Sequence, residues 1–278
     1  MNVLAFTFLV WTGSLIAGFL GALTGLGGGV VLVPLLTLFF HVDLRYAIGA
    51  SLVSVIATSS GSAAAYVKEG FSNIRIGMFL EIATTLGALG GAYLTSKVPA
   101  SAIAIIFGLV LLYSAYVARR TRVRTAIEEP PDPLATKLKM NGEFPDTTGI
   151  RAYNVYRVPA GFGLMFGAGA LSGLLGIGSG ALKVVAMDQA MKVPFKVSTT
   201  TSNFMIGVTA AASAGVYLTR GYIDPALAMP VMLGVLVGSL MGTRVLVKTQ
   251  TKLLRLVFSG VIVLLGLEMM FKGISGGI

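Results

Sequence analysis

Gly25-Leu26-Gly27-Gly28-Gly29 runs straight into the apolar stretch Val30 to Phe40, and Gly176-Ile177-Gly178-Ser179-Gly180 opens the same pattern later in the chain. Gly25 and Gly176 lie 151 positions apart, and that offset holds without a gap far beyond the glycines. Between positions 25 and 91, 15 of 67 residues are identical to their partners at +151. Ser51/Ser202, Thr58/Thr209, Ser62/Ser213 and Tyr66/Tyr217 are among them, so the abundance of glycine does not explain the register. The match continues upstream through Gly18/Gly169 and Leu20/Leu171. One structural unit is used twice.

The environment of that unit follows from composition. The 278 residues are 55% hydrophobic and only 12% charged, with mean hydropathy +0.86. A soluble domain carries about 25% charged residues. Several apolar runs reach the ~20 residues that cross a bilayer as a helix. The chain therefore reads as an all-α polytopic membrane protein, since a transmembrane barrel would show short alternating segments. Cysteine is absent and His41 is the single histidine, which argues against a disulfide framework, a thiolate or histidine metal site and a Cys nucleophile. No cofactor is expected. The net charge of +10 suits cytoplasmic loops of a membrane protein better than a nucleic-acid partner. Met1 to Leu4 lacks a positive n-region, so the first apolar stretch reads as a retained span.

Leu4 to Phe40 as one helix would measure about 55 Å, too long for a single crossing. The glycine turn is where it must break. The first repeat, residues 1–118, then holds helices at Leu4–Thr24, Val30–Phe40, Leu44–Val67, Ile74–Thr95 and Ala100–Ala118. The second, residues 158–278, holds Val158–Leu175, Ala181–Met191, Phe195–Leu218, Pro225–Val245 and Leu253–Phe271. The helix after each turn spans only about 17 Å, which favours glycine-tipped hairpins that end inside the membrane. Residues 119–157 carry Arg119, Arg120, Arg122 and Arg124, then Glu128-Glu129-Pro130-Pro131-Asp132-Pro133. Such a segment is too polar for lipid and too rich in proline for a long helix, and reads as a solvated, partly disordered cytoplasmic linker.

Charge counts give the orientation. If the chain reverses at each glycine turn, the second repeat is inverted, and 16 of the 21 Lys and Arg fall on the cytoplasmic side against four outside, with Lys183 inside a helix. Without reversal the split is 12 to 8, so the inverted arrangement, with the central loop in the cytoplasm, fits the positive-inside rule better.

A run such as Gly27-Gly28-Gly29 exposes backbone N–H groups, and it opens a helix whose first amides are unsatisfied and partly positive. Gly178-Ser179-Gly180 repeats the arrangement. Two readings stand: close helix packing by small residues, or an anion site lining a cavity. Neither run is a nucleotide signature, because the last glycine of G-x-G-x-x-G and a Gly-Lys-Ser/Thr are missing. Ser51, Ser54, Thr58 and Ser62 share one helix face, and the second copy answers with Thr201, Ser202, Asn203, Thr209 and Ser213. Their hydroxyls either bond back to their own helix or donate to oxyanion oxygens in a lined cavity.

Charges inside a membrane are functional by default. Lys183 has three readings: pairing with an anionic substrate, an i,i+5 partnership with Asp188, or snorkelling to a surface. Glu81 and Asp188 are candidates for proton coupling, with Glu81 about two turns into its span.

These residues resemble the sulfite exporter TauE/SafE family of membrane permeases. The resemblance rests on the turns Gly25–Gly29 with Pro34 and Gly176–Gly180, each followed by a Ser-bearing helix at Ala50-Ser51-Leu52 and Thr201-Ser202-Asn203. It covers both repeats. It implies outward movement of a small sulfur oxyanion, such as sulfite or sulfoacetate, across the cytoplasmic membrane. Ser179 in place of a glycine, Val185 where the first copy has Pro34, and Lys183 and Asp188 depart from the repeat pattern. The expectation is a secondary transporter for a small anion working by alternating access around the two tips, with an anion channel or a carrier of a different small organic anion as the alternative. An intramembrane enzyme lacks a metal cluster or catalytic dyad.

Overall fold

The computed structural model describes residues 3–24, 28–68, 72–119, 132–146, 149–246 and 251–276. Gly25, Leu26 and Gly27 of the first turn, the side chain of Ser62 and residues 120–131 of the linker lie outside the described residues. The first half holds α1 (Val3–Thr24), α2 (Gly29–Pro34), α3 (Leu44–Lys68), α4 (Ile74–Leu94) and α5 (Ala100–Arg119). A short helix α6 (Pro133–Lys137) and a two-stranded hairpin of β1 (Gly142–Asp146) and β2 (Gly149–Tyr153) follow. The second half holds α7 (Val158–Leu175), α8 (Gly180–Val185), α9 (Phe195–Thr219), α10 (Pro225–Leu246) and α11 (Thr251–Ser275). Among the described residues, four stretches are long and apolar enough to cross a bilayer: Leu4–Gly21, Ile74–Leu94, Val158–Leu175 and Pro225–Gly242.

The 151-residue offset reaches down to single contacts. Gly18 of α1 lies so close to Val235 of α10 that a Cβ there would strike its backbone, and Gly169 of α7 meets the backbone of Thr84 of α4 in the same way. Gly87 meets Phe166 and Ala170, and its equivalent Gly238 meets Leu15 and Phe19. So α1 packs on α10 and α7 on α4, each helix finding its partner in the other half. Small residues let the backbones approach this closely, and in lipid that dispersion contact is a main source of helix association. Gly108 of α5 touches Gly266 and Met270, while Gly273 of α11 touches Ser101 and Ile105, so these equivalent helices run antiparallel. The same holds for α3 and α9, where Gly49 meets Tyr222 and Gly207 meets Ser59.

Each short helix after a turn continues into one π-helical turn, Leu35–Phe39 and Ala186–Ala190, again at equivalent positions. Pro34 precedes the first and Val185 the second, so proline is not what widens the helix. Both π turns end at a left-handed residue with a side chain, His41 (φ 53°) and Lys192 (φ 58°). The chain then closes with Val42 N–H donating to Leu36 C=O at 3.1 Å and Val193 N–H to Met187 C=O at 3.0 Å.

The linker departs from the solvated segment expected. Where described, it is a folded cap. Ala135, Met140, Phe144 and Val155 join a buried cluster with Ile76, Met187 and Met191. These apolar residues are too widely spaced in a polar segment to register as an element in sequence. Asp132 accepts from Leu134 N–H through Oδ1 (2.8 Å) and from Val158 N–H through Oδ2 (2.9 Å), capping α6 and α7 with one side chain. Asn73, the N-cap of α4, donates through Nδ2 to Met140 C=O (2.8 Å) and to the Tyr153 hydroxyl (2.7 Å). Burial holds that hydroxyl above the ordinary tyrosine value, against the opposing Asn73 hydrogen bond, so it stays protonated.

Candidate functional site

The two glycine turns meet. A Cβ on Gly29 would lie 2.7 Å from the Ser51 hydroxyl and 3.1 Å from the carbonyl oxygen of Gly176. Ser51, on α3 of the first half, donates to that carbonyl of the second turn at 2.8 Å. Its equivalent Ser202 on α9 donates to Gly180 C=O at 3.1 Å. Two serines at equivalent positions thus fasten the second turn. Gly178 (φ +67°) sits between Ile206 of α9 and Val55 of α3, so the antiparallel pair clamps the turn from both sides.

The tips differ in detail. Gly28 is right-handed (φ −64°) and packs against Val235 and Gly18, which assigns it the packing role. Its equivalent Ser179 is left-handed (φ 46°) and 2% exposed. Among the described residues, the hydroxyls of Ser179 and of Ser172 on the last turn of α7 are buried without a hydrogen-bond partner. An unmet buried hydroxyl costs about 1–3 kcal/mol, so two flanking one turn call for a ligand or ordered water. The first i,i+4 bond of α8 runs from Lys183 N–H to Ser179 C=O at 3.0 Å, leaving the amides of Gly180, Ala181 and Leu182 ahead of it at the helix start. Gly27, the remaining tip residue of the first turn, lies outside the described residues.

The hydroxyl faces sort into two kinds. Ser54 donates to Ala50 C=O, Thr58 to Ser54 C=O and Ser213 to Thr209 C=O, each back along its own helix. Thr201 accepts from the backbone N–H of Asn73 at 3.0 Å, joining α9 to the cap. Asn203 is half-buried beside it. Ser51, Ser202 and Thr209 donate to another element, as Thr201 accepts from one.

Lys183 is fully buried, which excludes snorkelling to a surface, and the partners found for it are Thr209 and Glu81. Its ammonium donates to the Thr209 hydroxyl of α9 and pairs with the Glu81 carboxylate of α4, Nζ to Oε2 3.8 Å. Thr209 in turn donates to Glu81 Oε1 at 2.6 Å. Thr84 donates to Oε2 at 2.9 Å and Thr85 to Oε1 at 3.2 Å. Three helices from both halves converge on one ion pair, and charge burial is tolerated because every oxygen of the carboxylate is met. Sequence reading named Lys183 and Glu81 separately. Two opposite charges in otherwise apolar spans were the signal that they pair. Asp188 stands half-buried on the π turn that follows α8. Among the described residues no group of three or more His, Cys, Asp or Glu is placed to hold a metal ion.

The sulfite exporter TauE/SafE family model matches residues 10–269. The chain is similar to "Probable membrane transporter protein YunE" of Bacillus subtilis, 30% identical over 98% of this chain and 99% of that protein. It is similar to "Probable membrane transporter protein YdhB" of the same organism, 28% identical over 83% and 84% of the two chains. A third relative is "Probable membrane transporter protein MJ0441" of Methanocaldococcus jannaschii, 24% identical over 92% of each. No solved structure matches the chain. With nearly the whole chain and both glycine turns inside the matched span, this membrane transporter belongs to the sulfite exporter TauE/SafE family.

Proposed function

We propose that the protein is a secondary transporter, working outward, for a small sulfur-containing oxyanion such as sulfite or sulfoacetate. It sits in the cytoplasmic membrane with the central linker inside. Its two repeats, residues 1–118 and 158–278, lie inverted about the meeting point of the glycine turns, and alternating access proceeds around those tips. The inversion draws its support from the antiparallel packing of the equivalent pairs α5/α11 and α3/α9. The single observation that carries the site is the contact of Gly29 with the Gly176 carbonyl and Ser51, in a turn that also holds the unpartnered hydroxyl of Ser179 and leads into the helix of buried Lys183. Helix-start amides, hydroxyls and one cation are what a tetrahedral or pyramidal oxyanion needs.

In this reading the tip amides of Gly29, Gly178 and Gly180 face the anion, and Gly27, outside the described residues, is assigned to the same site from its place in the sequence alone. Ser51 and Ser202 hold the turn in shape, Ser179 donates to the anion, and Lys183 supplies the charge. Ser54, Thr58, Thr201 and Asn203 contribute as the surrounding polar wall, and Gly28 as packing.

The test is counterflow in proteoliposomes preloaded in turn with unlabelled sulfite, sulfoacetate, thiosulfate or sulfate, following a labelled anion. Preload-accelerated, saturable uptake is the expected result. Flux that ignores the preload and does not saturate would instead mark a channel.

A further inference from the structure

The Lys183–Thr209–Glu81 network draws on both halves and has no charged counterpart at the place related to it by the 151-residue offset. At the offset of 151 the equivalents of Lys183 and Glu81 are Leu32 and Met232, and only Thr209 keeps its counterpart, Thr58. Leu32 is fully buried, so the fold is built at the equivalent place without any charge. A buried ion pair adds little net stability over apolar residues of similar volume, and often less than none. The pair is therefore not explained by folding.

Few other charges bear on it. α7 carries no charged residue, and α5 carries only Arg119 at its end. The single charge of α9 is Lys196 in its first turn. On α4 itself the other charge is Arg75, exposed and donating to Lys139 C=O in the cap. Asp188 lies on the π turn after α8. The ammonium and carboxylate thus balance one another.

Resting on the anion site proposed above, we infer that Glu81 is an internal stand-in for the transported anion. With no substrate its carboxylate neutralises Lys183. When an oxyanion arrives at the second tip it takes over the ammonium, and Glu81 takes up one proton from solvent. The proton adds to a carboxylate oxygen, no other bond changes, and the bound anion brings no unbalanced charge from Glu81 with it. Without that proton the site would hold two anionic groups against one ammonium in a low-dielectric interior, which is costly.

The hydrogen bonds are built for the change. A protonated carboxyl donates from one oxygen where it had accepted, so one neighbouring hydroxyl must turn round. Thr209 has a second acceptor in Met205 C=O at 3.1 Å, and Thr84 has Leu80 C=O at 3.3 Å and Glu81 C=O at 3.1 Å. Either hydroxyl can swing to its own helix and accept the one O–H of Glu81, while the other carboxyl oxygen goes on accepting.

Proton uptake on binding is the direct readout. Purified protein in weakly buffered detergent solution is titrated with thiosulfate, sulfite and sulfoacetate, and a pH-sensitive dye follows the proton while calorimetry follows the anion. Thiosulfate keeps its own charge through the neutral range, so its protons belong to the protein. We expect one proton taken up per anion bound, and affinity that falls about tenfold per pH unit as pH rises wherever that full proton is taken up. Glu81→Gln should bind the anion with no proton and no pH dependence. Lys183→Met/Glu81→Gln should remain folded, as the equivalent place with Leu32 and Met232 does without a charge, and bind no anion. Anion binding by the wild type without proton uptake, or a Glu81→Gln variant that still takes up the proton, overturns the inference and leaves the anion site standing. No binding of any of the three anions by folded wild type overturns the proposed function, and this inference with it.

Discussion

At the scale of single residues, hydroxyls with the same look in sequence do different work. Ser51 reaches across to the carbonyl of Gly176, whereas Ser54, three residues on, bonds back to Ala50. Ser51→Ala should therefore cost about 1–3 kcal/mol, because a buried carbonyl loses its donor, while Ser54→Ala should cost a few tenths. Thermal unfolding in detergent checks this, and equal losses would refute the division. The ion pair gives a second prediction. Glu81→Leu strands a buried ammonium and should destabilise by about 3–5 kcal/mol, and adding Lys183→Met should recover most of it. A double variant as unstable as the two single changes added together would mean the charges do not meet. The face shared by Ser51, Ser54 and Thr58 was legible from spacing. Which of them leaves its own helix was not, since that depends on what lies opposite, and here the neighbour comes from the other repeat.

At the scale of elements, the helices were legible because lipid forces long apolar runs, and glycine and proline punctuate them. The runs expected from sequence and the helices found agree to a few residues. The π turns were not legible: Leu35–Phe39 and Ala186–Ala190 share no residue type at matching positions that would announce a widened turn. The cap was hidden too, because its few apolar residues are buried by the helices beneath rather than by each other. Glycine placement yields a prediction with its own control. Gly18→Leu and Gly169→Leu should both abolish folded protein or shift its melting strongly, since a side chain there meets the backbone of Val235 or Thr84. Gly163 and Gly167 of α7 have nothing within 4 Å of an added Cβ, so Gly→Ala at either should be neutral or stabilising by up to about 1 kcal/mol.

For the whole molecule, the absence of cysteine from the sequence makes orientation simple to test. Arg45, Lys97 and Arg220 gather with Tyr93 and Tyr222 at one end of the bundle, through cation–π contacts and a bond from Arg220 to Ala92 C=O. The cap, with Asn73, Glu143 and Tyr153, covers a different set of helix ends. A cysteine at Glu143 should react with an impermeant maleimide only in inside-out vesicles, and one at Lys97 only in intact cells. Labelling of both from one side would overturn the topology. The correspondence of helices at +151 was legible from the offset alone. The exchange of partners between halves was not, because identity at +151 says which residues correspond and nothing about which ones touch.

That exchange has a consequence for how the protein is made. α1 leaves the ribosome long before α10, and α4 long before α7, so the first half must enter the membrane with its small-residue stripes still unpaired. Its stripes at Gly18 and Gly87 find their grooves only when synthesis reaches Val235 and Phe166. A gene cut within the linker should therefore yield a first fragment that is inserted but readily degraded. Supplying the second fragment in the same cell should rescue it, because every missing surface is carried by the other piece.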